Sequence, residues 1–166
     1  MIALRPAVPA DRPLLERWDR EPHVVAGVPG DRWDWETELA RRSPWQEMLI
    51  AELDGRPIGF VQIIDPGREE THYWGDVPEN LRAIDIWIGE PDALAKGHGT
   101  KMMHLALARC FADPTVTAVL LDPLASNVRA HRFYRRLGFE LVERRRFADS
   151  DCFVFRLDRR AYRPTE

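Results

Sequence analysis

The chain has 166 residues, a formal net charge of −3, 45% hydrophobic and 31% charged residues. That length holds one domain with a real core and is short for two. The composition excludes a disordered chain, and the mild acidity argues against nucleic-acid binding through overall basic charge.

Met1-Ile2-Ala3-Leu4-Arg5-Pro6 lacks the apolar core of a signal peptide, and Ile2 to Arg5 reads as a first strand. Asp11 to Arg20 reads as a helix with Leu14, Leu15 and Trp18 on one face and Pro13 near its start. Glu21 to Asp34, with prolines and glycines, reads as a long loop, and Trp35 to Arg42 as a second helix. Glu47–Leu53 and Arg56–Ile64 flank Asp54-Gly55, a hairpin signal because type I′ turns need positive φ. Asp65 to Leu81 is polar and irregular. Arg82 to Gly89 is a further strand whose apolar run is interrupted by Asp85, a local inconsistency that asks for a use or a partner. Thr100 to Phe111, apolar nearly all round, predicts a buried helix. Val116 to Leu121 predicts a strand and Asn127 to Leu137 a helix; Glu140–Arg145 and Cys152–Leu157 predict a closing hairpin. Strands followed by strand–helix–strand–helix–strand predict a mixed α/β fold around one central sheet. No stretch reaches the ~18 apolar residues of a membrane span. Cys110 and Cys152, both in apolar runs, are too few for a disulfide framework and read as buried thiols. A cytoplasmic protein without membrane or nucleic-acid partners is expected.

Three features carry chemistry. The loop Lys96-Gly97-His98-Gly99-Thr100 follows a strand and opens a helix. Its glycines permit close backbone approach, and helix-start amides suit a pyrophosphate, with Lys96 and Lys101 able to add contacts. A plain tight turn fits the same residues. In the helix after Asn127, Asn127 is an N-cap, Ala130, Phe133 and Leu137 form the apolar stripe, Arg135 and Arg136 complement the dipole, and Gly138 supplies the stop. Tyr134 is left over, two turns or ~10.5 Å beyond Asn127. It suits half-buried packing or a proton-donor role. Finally, the acids between Asp65 and Asp92 are Asp65, Glu69, Glu70, Asp76, Glu79, Asp85, Glu90 and Asp92, against only Arg68 and Arg82. Such a run is either a solvated surface or a rim that draws in a polycation. Tyr73, Trp74, Trp33 and Trp35 could offer stacking faces beside it or cover the core. The histidines His98, His104 and His131 match no zinc spacing, so no metal is expected.

The segments Gly55–Phe60, Arg82–Asp85, Lys96–Lys101, Asp113–Thr117, Asp122-Pro123, Ser126–Ala130, Tyr134 and Gly138-Phe139 together resemble the GNAT superfamily of N-acetyltransferases, the aminoglycoside 6′-N-acetyltransferases in particular. The superfamily usually carries Gln or Arg three residues before the first glycine, where this chain has Leu94. The resemblance implies a single GNAT domain over residues 1–166, with a mostly antiparallel twisted sheet splayed at the cofactor site and flanked by helices. It implies direct transfer from acetyl-coenzyme A to an amine in a ternary complex. The pantetheine arm would lie along the Asp85 strand, with the pyrophosphate on the amides of Lys96 to Thr100. An amide near Trp87 or Ile88 would polarise the thioester carbonyl, and Asn127 would orient the cofactor. Asp85 would take the amine's proton and Tyr134 would protonate the departing thiolate. Glu70, Trp74, Asp76, Asp85 and Asp122 would meet a cationic small-molecule amine. Asp122 stands at the C-terminal end of its strand, where α/β sheets gather ligands, although an Asp-Pro turn explains it equally. Rival substrates are a siderophore precursor, a polyamine or a protein amine. A coenzyme A-binding module without turnover is the rival outside enzymology. Monomer and homodimer both stay open.

Overall fold

Among the residues that the computed structural model describes, 1–27 and 33–165, the strands form a seven-stranded sheet. They are β1 (Ile2–Pro6), β2 (Gln46–Leu53), β3 (Arg56–Ile64), β4 (Leu81–Ile88), β5 (Ala118–Leu121), β6 (Glu140–Phe147) and β7 (Ser150–Asp158), in the order β1-β2-β3-β4-β5-β7-β6. β1 with β2, β5 with β7, and β6 with β7 pair antiparallel. β4 with β5 is parallel, Leu81–Ala83 lying against Ala118–Leu120. The helices are α1 (Arg12–Trp18), α2 (Pro22–Gly27), α3 (Trp35–Ala40), α4 (His98–Ala112) and α5 (Val128–Arg136). The mixed α/β expectation holds. No described helix is long and apolar enough to cross a membrane.

The chain divides into two compact units, Met1–Gln62 with Asp85–Leu105, and Ile63–Ile84 with Ala106 onward. In the first, Asp54 and Gly55 both take positive φ, 49° and 85°, the paired left-handed conformations a type I′ hairpin requires. α1 buries Leu15 and Trp18 completely, and α3 adds Trp35 and Leu39, closing over Ile50 of β2 and Phe60 of β3. Each such side chain contributes ~1.5–3 kcal/mol by leaving water. The Trp18 ring lies on the backbone after β4: a Cβ added at Gly89 would stand 2.0 Å from Trp18 Cδ2, so only glycine fits.

In the second unit, β5 and β7 supply Val119, Leu121, Phe155 and Leu157 to the core. Arg159 donates to the carbonyls of Phe111, Asp113 and Val116 and lies over the Phe111 ring. It thereby satisfies carbonyls at the end of α4 that the helix leaves without partners. Cys110 and Cys152 are both buried.

Four elements differ from the sequence reading. Pro22–Gly27 forms helix α2 rather than loop, because proline suits the first helical turn, where no amide is needed. Residues 28–32 of that expected loop lie outside the described residues. β5 starts at Ala118 rather than Val116, because the Thr117 amide turns to the Asn80 carbonyl. α4 exposes Lys101, Leu105, Ala108 and Arg109, so it is amphipathic rather than apolar all round. On α5 the buried residue is His131, its Nε2 2.9 Å from the Leu124 carbonyl and its ring against Phe153; Ala130, Phe133 and Leu137 are only half-buried.

Candidate active site

In the first unit the two-residue period of β4 turns Asp85 and Trp87 to one face. Gln62, 7% exposed on neighbouring β3, donates through Nε2 to Asp85 Oδ2 at 2.8 Å. Gln46 on β2 donates in turn to Gln62 Oε1 at 2.5 Å and, more loosely, to Glu38 Oε2 at 3.4 Å. A carboxylate inside an apolar strand is tolerable because an amide meets it there. Beside it, the Trp87 ring packs 4.6 Å from Phe60 and 6.0 Å from Trp33, and its Nε1 is buried without a hydrogen-bond partner among the described residues. Trp33 also stacks on Trp35, so both rings serve the core of this unit.

Past Ile88 the strand bends. The amides of Gly89 and Glu90 both donate to the Ile58 carbonyl, and His23 Nε2 lies 2.9 Å from the Ile88 carbonyl. Glu90 is buried and binds Arg17, Arg56 and Trp18 Nε1. The Arg17 hydrogen bond, against the cost of burial, holds the Glu90 carboxyl below its ordinary value of 4.5. This clamp anchors the turn that leads into the glycine loop. Ala95 and Gly97 take positive φ, 59° and 80°. A Cβ at Gly97 would meet nothing within 4 Å, so conformation rather than crowding selects glycine there.

α4 then starts at His98 and runs for 15 residues. Its first amides have no carbonyl partner within the helix, and the helix dipole makes that end favourable to anions. Lys96 and Lys101 are exposed. His98 Nδ1 is buried without a hydrogen-bond partner among the described residues. Glycine conformation, helix-start amides, two exposed cations and an unpartnered buried ring nitrogen fit a diphosphate group.

In the second unit Asp122 follows β5 directly, and Tyr73 Oη donates to its Oδ2 at 2.6 Å. The Tyr73 ring, 46% exposed, stacks on Phe147 at 4.7 Å. Trp74 is only 3% exposed, edge-on to Tyr73 and Phe147, so it packs beneath the surface; the open aromatic face of this loop belongs to Tyr73. Glu69 is buried and shapes the same loop. Burial raises its pKa, but the amides of Tyr73 and Thr71, which its carboxylate accepts, outweigh that and bring it below its ordinary value. Asn127 Oδ1 accepts the Ala130 amide at 3.2 Å, the expected N-cap, and Gly138 at φ 97° ends the helix. Tyr134 is half-buried, its ring among Phe133, Phe139 and Phe155.

The first unit thus gathers Asp85, Trp87, Ile88 and Lys96–Lys101 along one strand and the helix after it. The second holds Glu70, Trp74, Asp76, Asp122, Asn127 and Tyr134. The acidic run is less free than its sequence suggests. Asp65 pairs with Arg82, Glu69 caps its own loop, and Glu90 and Asp92 meet Arg56. Glu70, Asp76 and Glu79 are exposed. Sequence reasoning missed Gln62, Gln46 and His23. A glutamine inside the run Ile58–Ile64 was the available signal for the first.

The chain matches the acetyltransferase (GNAT) domain family over residues 7–147. It is 30% identical over 148 residues to an aminoglycoside N(6′)-acetyltransferase type 1 of Klebsiella pneumoniae, covering 84% of this chain and 74% of that protein. It is 24% identical over 131 residues to an N-hydroxyputrescine acetyltransferase of Acinetobacter baumannii, covering 73% of this chain and 60% of that protein. Among solved structures it resembles the aminoglycoside acetyltransferase AAC(6′)-Ib in complex with coenzyme A and kanamycin. That likeness has a TM-score of 0.84 and 28% identity and covers 97% of this chain and 96% of the other.

Proposed function

The chain belongs to the GNAT acetyltransferase family, and from that premise we propose that it transfers the acetyl group of acetyl-coenzyme A to the 6′-amino group of an aminoglycoside. The observation that carries this reading lies in the first unit. β4 presents a hydrogen-bonded carboxylate and leads, through a positive-φ glycine turn, into the start of a long helix.

Acetyl-coenzyme A supplies the activated thioester. The amides of His98, Gly99 and Thr100, with Lys96 and Lys101, hold its diphosphate, and Asn127 helps to orient the cofactor. An amide near Trp87 or Ile88 donates to the thioester carbonyl as negative charge builds there. An amine attacks only with its lone pair free. Asp85 takes the proton that the nitrogen loses, directly or through water, and Tyr134 Oη gives a proton to the departing sulfur. The nitrogen–carbon bond forms as the carbon–sulfur bond breaks, and both protons are accounted for.

The cationic drug is met by Asp85 and Asp122, with exposed Glu70 and Asp76 at longer range. Tyr73, rather than Trp74, supplies the stacking face. The N-hydroxyputrescine relative favours a second reading, acylation of a polyamine-type hydroxylamine.

One panel separates the two: thiol release from acetyl-coenzyme A with kanamycin, tobramycin, spermidine and N-hydroxyputrescine. The preferred reading requires turnover with an aminoglycoside. Turnover confined to the hydroxylamine would replace it with the second.

A further inference from the structure

The face of β4 that carries Asp85 is backed by side-chain amides whose direction is not free. Glu38 on α3 is a carboxylate and only accepts. The Gln46 group that meets it must therefore be the amide nitrogen, and that same nitrogen donates to Gln62 Oε1. With its oxygen engaged, Gln62 turns its nitrogen the other way, where it donates to Asp85 Oδ2. Two carboxylates thus end a relay in which each amide has only one workable orientation. Gln62 is buried, so no solvent competes for its place. Glu38, which ends the relay on α3, lies 3.7 Å from Arg41 on the same segment. β3 presents to Asp85 the neutral amide of Gln62, and β2 presents the amide of Gln46 to Gln62.

We propose that Gln62 is a positioning residue for Asp85, aiming its carboxylate and favouring its ionised form, with Gln46 and Glu38 setting the direction in which Gln62 donates. This rests on the reading of Asp85 as the group that receives the amine's proton. A donor to the charged form of a carboxylate favours that form, so losing the donor raises the pH at which the base becomes competent.

The experiment is the pH dependence of kcat/KM, followed by thiol release with kanamycin, for the parent, Gln62→Met, Gln62→Glu, Gln46→Met and Asp85→Asn. Gln62→Met keeps the length and removes the donor. It should move the acid limb up by about one pH unit, the scale of a lost hydrogen bond to a charge. It should also lower kcat about tenfold through lost aim, with KM for acetyl-coenzyme A held within about twofold. Gln62→Glu places a like charge against Asp85 and should move the limb further in the same direction. Gln46→Met, which only frees the Gln62 rotor, should move it least.

An acid limb unmoved in both Gln62 variants, alongside an inactive Asp85→Asn, would overturn this inference alone. Parental turnover by Asp85→Asn would overturn the reading of Asp85 and the role of Gln62 with it. Should Gln62→Met fail to fold, the isosteric Gln62→Glu carries the test.

Discussion

The two long helices begin in opposite ways. α5 opens on Asn127, whose side chain turns back to accept the Ala130 amide, so that start is satisfied by the chain itself. α4 opens after Gly97, which has no side chain to turn back, and its first residue keeps a buried ring nitrogen without a partner among the described residues. The capped start serves first the stability of its own helix, whatever Asn127 adds in orienting the cofactor. The start behind a glycine is the one we propose for the diphosphate of acetyl-coenzyme A. The same contrast separates the carboxylates. Glu69 accepts the amides of its own loop and Glu90 binds Arg17 and Arg56, whereas Asp85 accepts the side-chain amide of Gln62.

The largest test of that contrast is Asp85→Asn. It should lower kcat by ~10²–10⁴, the range for losing a general base, in a thiol-release assay, while Tm changes little. Tyr134→Phe should lower kcat by roughly 10² with acetyl-coenzyme A binding retained, read by steady-state kinetics beside calorimetry; parental kcat would remove Tyr134 as the proton donor.

The helix starts are separated by a pair of variants. Gly97→Ala puts a Cβ on a left-handed residue at a cost of ~1–2 kcal/mol, and should raise KM for acetyl-coenzyme A several-fold as the loop shifts. Asn127→Ala should act first on stability, losing ~0.5–2 kcal/mol in denaturant unfolding. If both variants act mainly on KM, the distinction between the two starts fails.

The smallest effect concerns Glu90. Its folded pKa lies below 4.5, chiefly through Arg17, so its contribution to stability is present above the unfolded value and is lost as pH falls through the folded one. Glu90→Gln should therefore flatten the acid side of the stability profile and leave the neutral side sloped as before.

How much of this was legible depends on how far apart the cooperating residues lie. Asp54-Gly55 announced its hairpin because two adjacent residues hold all the information a type I′ turn needs. Asn127 and Gly138 announced the ends of α5 for the same local reason. Asp85 could be singled out as an acid in an apolar strand, but its partner could not, because Gln62 sits on another strand and reads as one polar residue in a buried run. The acidic stretch misled because its neutralising partners are remote: Arg17 lies 73 residues from Glu90, and Arg56 36 residues from Asp92. Trp74 misled because a tryptophan in a polar loop looks exposed until Phe147 closes against it. α2 was hidden by reading Pro22 as a breaker when it is a first-turn residue.

The placement of the tryptophans has an optical consequence. Of the six, Trp18, Trp33, Trp35, Trp45 and Trp87 belong to the first unit and only Trp74 to the second. Trp33 and Trp35 lie 4.7 Å apart with ring planes 4° from parallel, close enough for their transitions to couple in circular dichroism. Ultraviolet signals from this protein therefore report overwhelmingly on one half of the chain. Comparing a Trp74→Phe protein with its parent isolates the emission of the other half. Superimposable melting of the two signals would mark a single cooperative transition.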